Sequence, residues 1–153
     1  KTFNLAGLNT ACLIIPNRRI RRQFTDTILP KQATIFGGIA AEAAYTYGDK
    51  WLDALLDYLR GNREFLTGYM KARIPGIKAL ELEGTYLAWL DCRELGMDNE
   101  ALEEFMLDKA GLWVNQGYSF GNGGDGFVRM NIGCPRSILE KALRRLDTAV
   151  SSL

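Results

Sequence analysis

Histidine is absent from all 153 residues. That excludes imidazole-based zinc sites, and Ser-His-Asp or Cys-His catalysis, within this chain. Acid–base work therefore falls to Lys, Asp, Glu, Tyr or a cofactor, and no metal ligand set is expected. Cysteine is scarce. Cys12, Cys92 and Cys134 are odd in number, widely spaced and free of any CxxC pattern, which favours reduced thiols in a cytoplasmic protein over a disulfide framework. An excess of one charge is also missing. With 19 Lys and Arg against 18 Asp and Glu, the net charge is +1, which argues against a nucleic-acid partner. No apolar run approaches the roughly 18 to 20 residues needed to cross a bilayer, so no membrane partner is expected. The chain opens KTFN without a charged-then-apolar leader. Internal repeats and low-complexity segments are absent too.

What remains is the composition of a globular domain, 47% hydrophobic and 24% charged, in a length that suits one ordinary domain with a sizeable core. Lys1 is not preceded by methionine, and an apolar stretch follows closely. The chain reads as a piece of something longer.

Thr10 to Ile15 (TACLII) predicts a short apolar strand closed by Pro16. Asn17 is a candidate cap for a helix to about Leu29 that carries Arg18, Arg19, Arg21 and Arg22. Pro30 interrupts. Gln32 to Tyr47 is rich in small residues and predicts a closely packed, buried helix, broken at Gly48-Asp49. A long amphipathic helix follows from Asp49 to about Arg73, with Trp51, Leu55, Tyr58, Leu59, Leu66 and Met70 near one stripe. Lys78 to Leu82 and Thr85 to Asp91 are strand-like. Asp98 or Asn99 caps a helix through Ala110, ended by Gly111. Leu112 to Asn115 predicts a short strand, Gly117 to Gly126 a glycine-rich loop. A strand and a final helix from Pro135 to about Val150 complete the chain. From Lys78 onward the order is β-β-α-β-β-α, a small α+β unit. The expected organisation is an α/β large-domain edge at 1–48, an interdomain helix at 49–73, and an α+β small domain at 74–153.

GFVRMNIGCPR, Gly126 to Arg136, contains the most informative side chain. Alternation points Val128, Met130 and Ile132 to one face and Phe127, Arg129 and Asn131 to the other. A buried guanidinium stripped of its partner costs roughly 3 kcal/mol or more. Arg129 must reach water, pair with a carboxylate of the chain, or hold an anionic ligand.

Other motifs favour plainer readings. RRIRRQ is best taken as a solvated helix face. GNGGDG leads into a strand instead of opening a helix, so it suits a flexible turn near a binding site better than a dinucleotide loop. WLDALLDYL reads as a core-facing helix. In EGTYLAWLD, Tyr86, Ala88 and Leu90 would share a face opposite Leu87 and Trp89, and Tyr86 could line a pocket wall.

KTFNLAGL, GTYLAWLD and GYSFGNGGDGFVRMNIGCPR occur in the order and approximate spacing of a known family. Together they resemble the C-terminal part of pyridoxal-phosphate-dependent enzymes of the class I/II aminotransferase superfamily, over essentially the whole chain. Within that superfamily the motifs look like those of the bacterial cystathionine β-lyases, or C–S lyases, including the type described as a modulator of maltose regulation. The resemblance implies a fragment of the fold-type I transferase fold, with pyridoxal 5'-phosphate as cofactor. By the same resemblance, Lys1 matches the lysine that carries the cofactor and removes the α-proton. Arg129 matches the arginine that binds the substrate α-carboxylate, and Tyr86 becomes a candidate substrate contact.

The implied activity is β-elimination at a cysteine conjugate such as cystathionine, giving thiol, pyruvate and ammonia, in a homodimer. An aminotransferase using the same Lys1 and Arg129 is the alternative. A regulatory or interaction module of the same fold is a second. Aspartate-type aminotransferases carry an arginine eight residues after the lysine, where Asn9 stands here, which favours the lyase. The family's cofactor-phosphate loop, ring-stacking aromatic and pyridinium-pairing aspartate lie upstream of the lysine. A chain of these residues alone is therefore expected to bind the cofactor poorly and to catalyse little.

Overall fold

Asn17 stands where the sequence places a cap and acts as one. Its Oδ1 accepts from the backbone N–H groups of Arg19 and Ile20 at 3.0 and 3.1 Å, starting α1 (Arg18–Thr27). The computed structural model describes residues 1–28 and 34–153, and divides into two compact units, Lys1–Ala54 and Leu55–Leu153. The predicted break at Pro30 and helix start at Gln32 lie outside the described residues.

In the first unit α1 buries none of its side chains, and its arginines face solvent. Thr34 caps α2 (Ile35–Tyr47), its hydroxyl accepting from the Gly37 N–H at 3.0 Å. The expectation of a buried α2 fails. Only Gly37 is fully buried, and Ala40, Ala41 and Ala44 continue its stripe half-covered. Apolar residues lie all round this helix, so one packed stripe leaves Ile35, Phe36 and Ile39 outside it, exposed. The predicted strand at Thr10–Ile15 is also corrected: residues 9–17 carry no regular structure. A strand exists only through a ladder partner, and none among the described residues pairs with this segment.

The second unit is built on one antiparallel sheet in the order β1-β2-β4-β3, from β1 (Lys78–Ala79), β2 (Leu87–Asp91), β3 (Asn115–Gln116) and β4 (Phe127–Asn131). The helices are α3 (Asp49–Arg73), within which the boundary between the units falls, α4 (Asn99–Glu104) and α5 (Arg136–Val150). Asp98 caps α4 by accepting from the Ala101 N–H at 2.9 Å. The β-β-α-β-β-α order is the one the sequence predicts.

Alternation settles the sheet faces. Ala88, Leu90, Val128 and Met130 are buried in the core together with Leu66, Met70, Leu102, Leu139, Leu143 and Leu146. At about 25 cal/mol per Å² of apolar surface removed from water, each large aliphatic of this set contributes about 1.5–3 kcal/mol. Along α3 the buried stripe is Leu59, Asn62, Leu66 and Met70. Trp51 and Tyr58, placed on that stripe from sequence, are about half exposed. Two strands begin later than predicted. A left-handed Thr85 (φ 65°) delays β2 to Leu87. After α4, a π turn at Phe105–Lys109 and a bond from the Leu112 N–H to the Met106 carbonyl hold the chain back, so β3 begins at Asn115.

Candidate active site

Arg129 sits at the middle of β4 with Trp89 of β2 as its partner on one side and Asn115 of β3 on the other. All three project from the face opposite the core, as the period of two requires. Arg129 Nη2 donates to Asn115 Oδ1 at 3.0 Å, and its guanidinium carbon stands 4.4 Å from the centre of the Phe120 ring. Its Nε is buried and has no hydrogen-bond partner. None of the ion pairs among the described residues involves Arg129. Of the three fates open to it from sequence, pairing with a carboxylate is therefore not realised among the described residues.

Phe120 is held by an aromatic series. Trp89 meets it edge-on at 5.5 Å and stacks on Phe127 at 5.8 Å with 20° between the planes. Arg93 lies 4.8 Å over Phe127 and is itself gripped by Asp91 through two bonds of 2.9 and 2.8 Å. The hydrogen bond from Arg93 holds the Asp91 carboxyl below its usual range.

The glycine-rich segment keeps Phe120 near Arg129 by close backbone approach. A Cβ on Gly117 would lie 2.2 Å from the Gly124 carbonyl oxygen, and one on Gly124 would lie 2.0 Å from that of Gly117. Asn99 secures the far end. Its Nδ2 donates to Asp125 at 2.7 Å and its Oδ1 accepts from the Gly126 N–H at 3.2 Å.

The other two residues singled out from sequence are placed as follows. Lys1, in the first unit, is exposed and borders a cleft of about 110 Å³ walled by Phe3, Leu8, Thr10 and Tyr45. Phe3 is fixed there between Tyr45, edge-on at 5.2 Å, and Trp51, stacked at 6.2 Å. Tyr86, in the second unit, is half-buried against the core cluster, its ring beside Gly133, and its carbonyl accepts from the Ile132 N–H at 2.9 Å. Among the described residues no group of three or more Cys, Asp or Glu could hold a metal ion, and no helix is long and apolar enough to cross a membrane.

No family model matches the chain. Individual proteins do. The cystathionine beta-lyase PatB of Bacillus subtilis strain 168 is 36% identical over 157 residues, which cover 99% of this chain and 40% of PatB. Protein MalY of Escherichia coli K12 is 36% identical over 100% of this chain and 40% of MalY. The crystal structure of cystalysin from Treponema denticola, which contains a pyridoxal 5'-phosphate cofactor, aligns at 40% identity with a TM-score of 0.87. That alignment covers 99% of this chain and 39% of cystalysin.

The chain has the fold of part of these fold-type I, aminotransferase-like proteins. It spans about 40% of the length of the curated relatives it matches, and it carries part of that fold. Within the family frame, the surroundings of Arg129 are what sequence reading missed: Asn115, Phe120 and the Trp89–Phe127 stack. The signal was available in part, since alternation already put Trp89 and Arg129 opposite the core. Pairing Arg129 with Asn115 required the register of β3.

Proposed function

We propose that the whole protein cleaves the Cβ–S bond of cystathionine or a related cysteine conjugate. The products are a thiol, pyruvate and ammonia, and pyridoxal 5'-phosphate is the cofactor. The observation that carries this reading is the unpartnered, buried Nε of Arg129 on a guanidinium that no carboxylate of the described chain neutralises. Such a group suits a planar anion able to accept two parallel hydrogen bonds, and an amino-acid α-carboxylate is one. The 36% identity to PatB and MalY supports the lyase assignment.

The residues present fit the cofactor in chemistry: Lys1 offers a primary amine beside an aromatic-walled cleft. When bound, the pyridoxal ring supplies the electron sink that makes an α-proton removable. Lys1 Nζ is the group in this chain that takes the proton from Cα, and no histidine is needed. Arg129 holds the carboxylate and so narrows the orientations open to the substrate. Tyr86 is proposed as a further substrate contact. The electron pair of the broken Cβ–S bond departs on sulfur, and the aminoacrylate released takes up water to give pyruvate and ammonia.

We also propose a homodimer in a reducing, cytoplasmic setting. The homodimer is what the resemblance to the C–S lyases implies. The three cysteines are free.

The deciding experiment supplies cystathionine to the purified whole protein and follows pyruvate and thiol release, with keto-acid-dependent amino transfer assayed in parallel. Release without a keto acid, lost in Lys1→Ala together with the borohydride-fixed pyridoxyl adduct at Lys1, is the expected result. Amino transfer without thiol release would replace the lyase by the aminotransferase. No turnover of either kind, with partner binding intact, would leave the non-catalytic module.

A further inference from the structure

We infer that Asn115 is a positioning residue for the Arg129 clamp, and that its neutrality keeps the guanidinium available to an incoming carboxylate. This inference rests on the reading of Arg129 as the carboxylate-binding residue. A guanidinium carries five N–H donors in one plane. Asn115 Oδ1 occupies one of them, on Nη2, at 3.0 Å. Phe120 covers one face of the plane at 4.4 Å. Together the two contacts fix where the plane lies and how it is rotated, while Nε stays without a partner.

The geometry comes from the sheet and from the aromatic series, so it is present before any ligand binds. Asn115 and Arg129 are direct cross-strand partners, a relationship that brings their side chains together on one face. Phe120 cannot swing away without leaving Trp89, which is stacked in turn on Phe127 under Arg93.

The chemical identity of residue 115 matters as much as its place. An amide oxygen accepts one hydrogen bond and leaves the positive charge intact. A carboxylate at the same position would take two donors and neutralise the charge, competing directly with the ligand. A side chain without an acceptor would leave the guanidinium free to rotate. Asn115 is the type that orients without occupying.

The test uses the whole protein loaded with cofactor, and two substrates with the same sulfur side chain: an S-substituted L-cysteine and its α-carboxamide. The ratio of their kcat/KM values reads how well the carboxylate is held. A second readout, independent of turnover, is the dissociation constant of propionate measured by titration calorimetry.

Asn115→Ala is expected to lower the acid-to-amide ratio about tenfold, carried by KM, and to weaken propionate by a similar factor. Asn115→Asp, nearly isosteric and placed on an exposed strand edge, is expected to lower both by about 100-fold. In an Arg129→Ala background neither change should alter the ratio further. If Arg129→Ala abolishes the preference but both Asn115 variants leave ratio and propionate affinity unchanged, Asn115 has no positioning role and only the inference falls. If Arg129→Ala itself leaves the ratio unchanged, the carboxylate-clamp reading fails and takes the inference with it. Equal losses for acid and amide would assign Asn115 a merely structural part and overturn the inference as well.

Discussion

Asn62 and Arg136 join α3 to the start of α5 through a part-buried side-chain pair: Arg136 Nε donates to Asn62 Oδ1 at 2.9 Å. The Asn62 Nδ2 uses its two hydrogens on the carbonyls of Ile132 and Cys134, also at 2.9 Å each. Every polar atom of a side chain with no solvent exposure is thus matched. The residues so gripped are the IGCPR turn that continues the Arg129 strand, so this amide anchors β4 at its far end. Asn62→Leu removes three bonds at once and leaves two carbonyls facing apolar surface. We expect a loss of about 3 kcal/mol, read as a lower urea midpoint. Asn62→Asp should not rescue it, even with Arg136 to pair with, because the donors to the two carbonyls are gone.

Gly124→Ala tests how the glycine-rich segment is packed. The backbone there does not need a left-handed residue; it needs room. A Cβ would stand 2.0 Å from the Gly117 oxygen and 3.0 Å from the Tyr118 nitrogen, both main-chain atoms that cannot swing aside. The cost should be about 1–3 kcal/mol, measurable as a fall in Tm. Because Phe120 lies between the two glycines in sequence, carboxylate binding should weaken at the same time. An alanine protein as stable as wild type would mean that the segment opens at no cost.

Much of the second unit is legible in the sequence. The end of α3 at Arg73, the cap at Asp98 and the helix after Pro135 all follow from short-range rules, because cap chemistry and apolar periodicity are local. The same holds for the two faces of β4. What escapes is set by longer-range events. The π turn after α4 precedes a β3 that starts at Asn115, three residues beyond the predicted Leu112, and with that start comes the pairing of Asn115 with Arg129. Asn62 looks like an ordinary polar residue on an amphipathic helix; only the fold shows that it faces two orphan carbonyls. In the first unit TACLII has the composition of a strand, yet composition does not provide a partner. Motif alone makes Lys1 and Arg129 candidates, whereas the contacts around Arg129 depend on the register of β3.

Asp91 and Arg93 give an acid-side prediction. Hydrogen bonding from Arg93 lowers the Asp91 pKa below its ordinary value of 3.8. The stability this pair contributes is therefore present above that ordinary value and is lost as pH falls through the lowered one. Asp91→Asn should be less stable than wild type at pH 7, with the gap closing as the medium is acidified toward the lowered pKa. Parallel thermal melts across that range check it. A gap independent of pH would show that the interaction does not depend on the carboxylate charge.

Cys92 gives the alkaline counterpart. Its side chain is buried in the core, and burial pushes its thiol from 9.0 up to about 12. The unfolded chain would release that proton near 9.0, well before the folded one does. The stability Cys92 contributes is thus complete below about pH 9, and it is lost as pH climbs toward the folded value. A Cys92→Ala protein, which cannot ionise there, should show a flatter fall in Tm between pH 9 and pH 11, although its cavity lowers stability at neutral pH. Labelling supplies an independent check. At pH 8 a thiol reagent should modify exposed Cys12 first and reach Cys92 only on the timescale of unfolding, because a buried neutral thiol is a poor nucleophile. Equal labelling rates for Cys12 and Cys92 in the folded protein would contradict the burial on which both expectations rest.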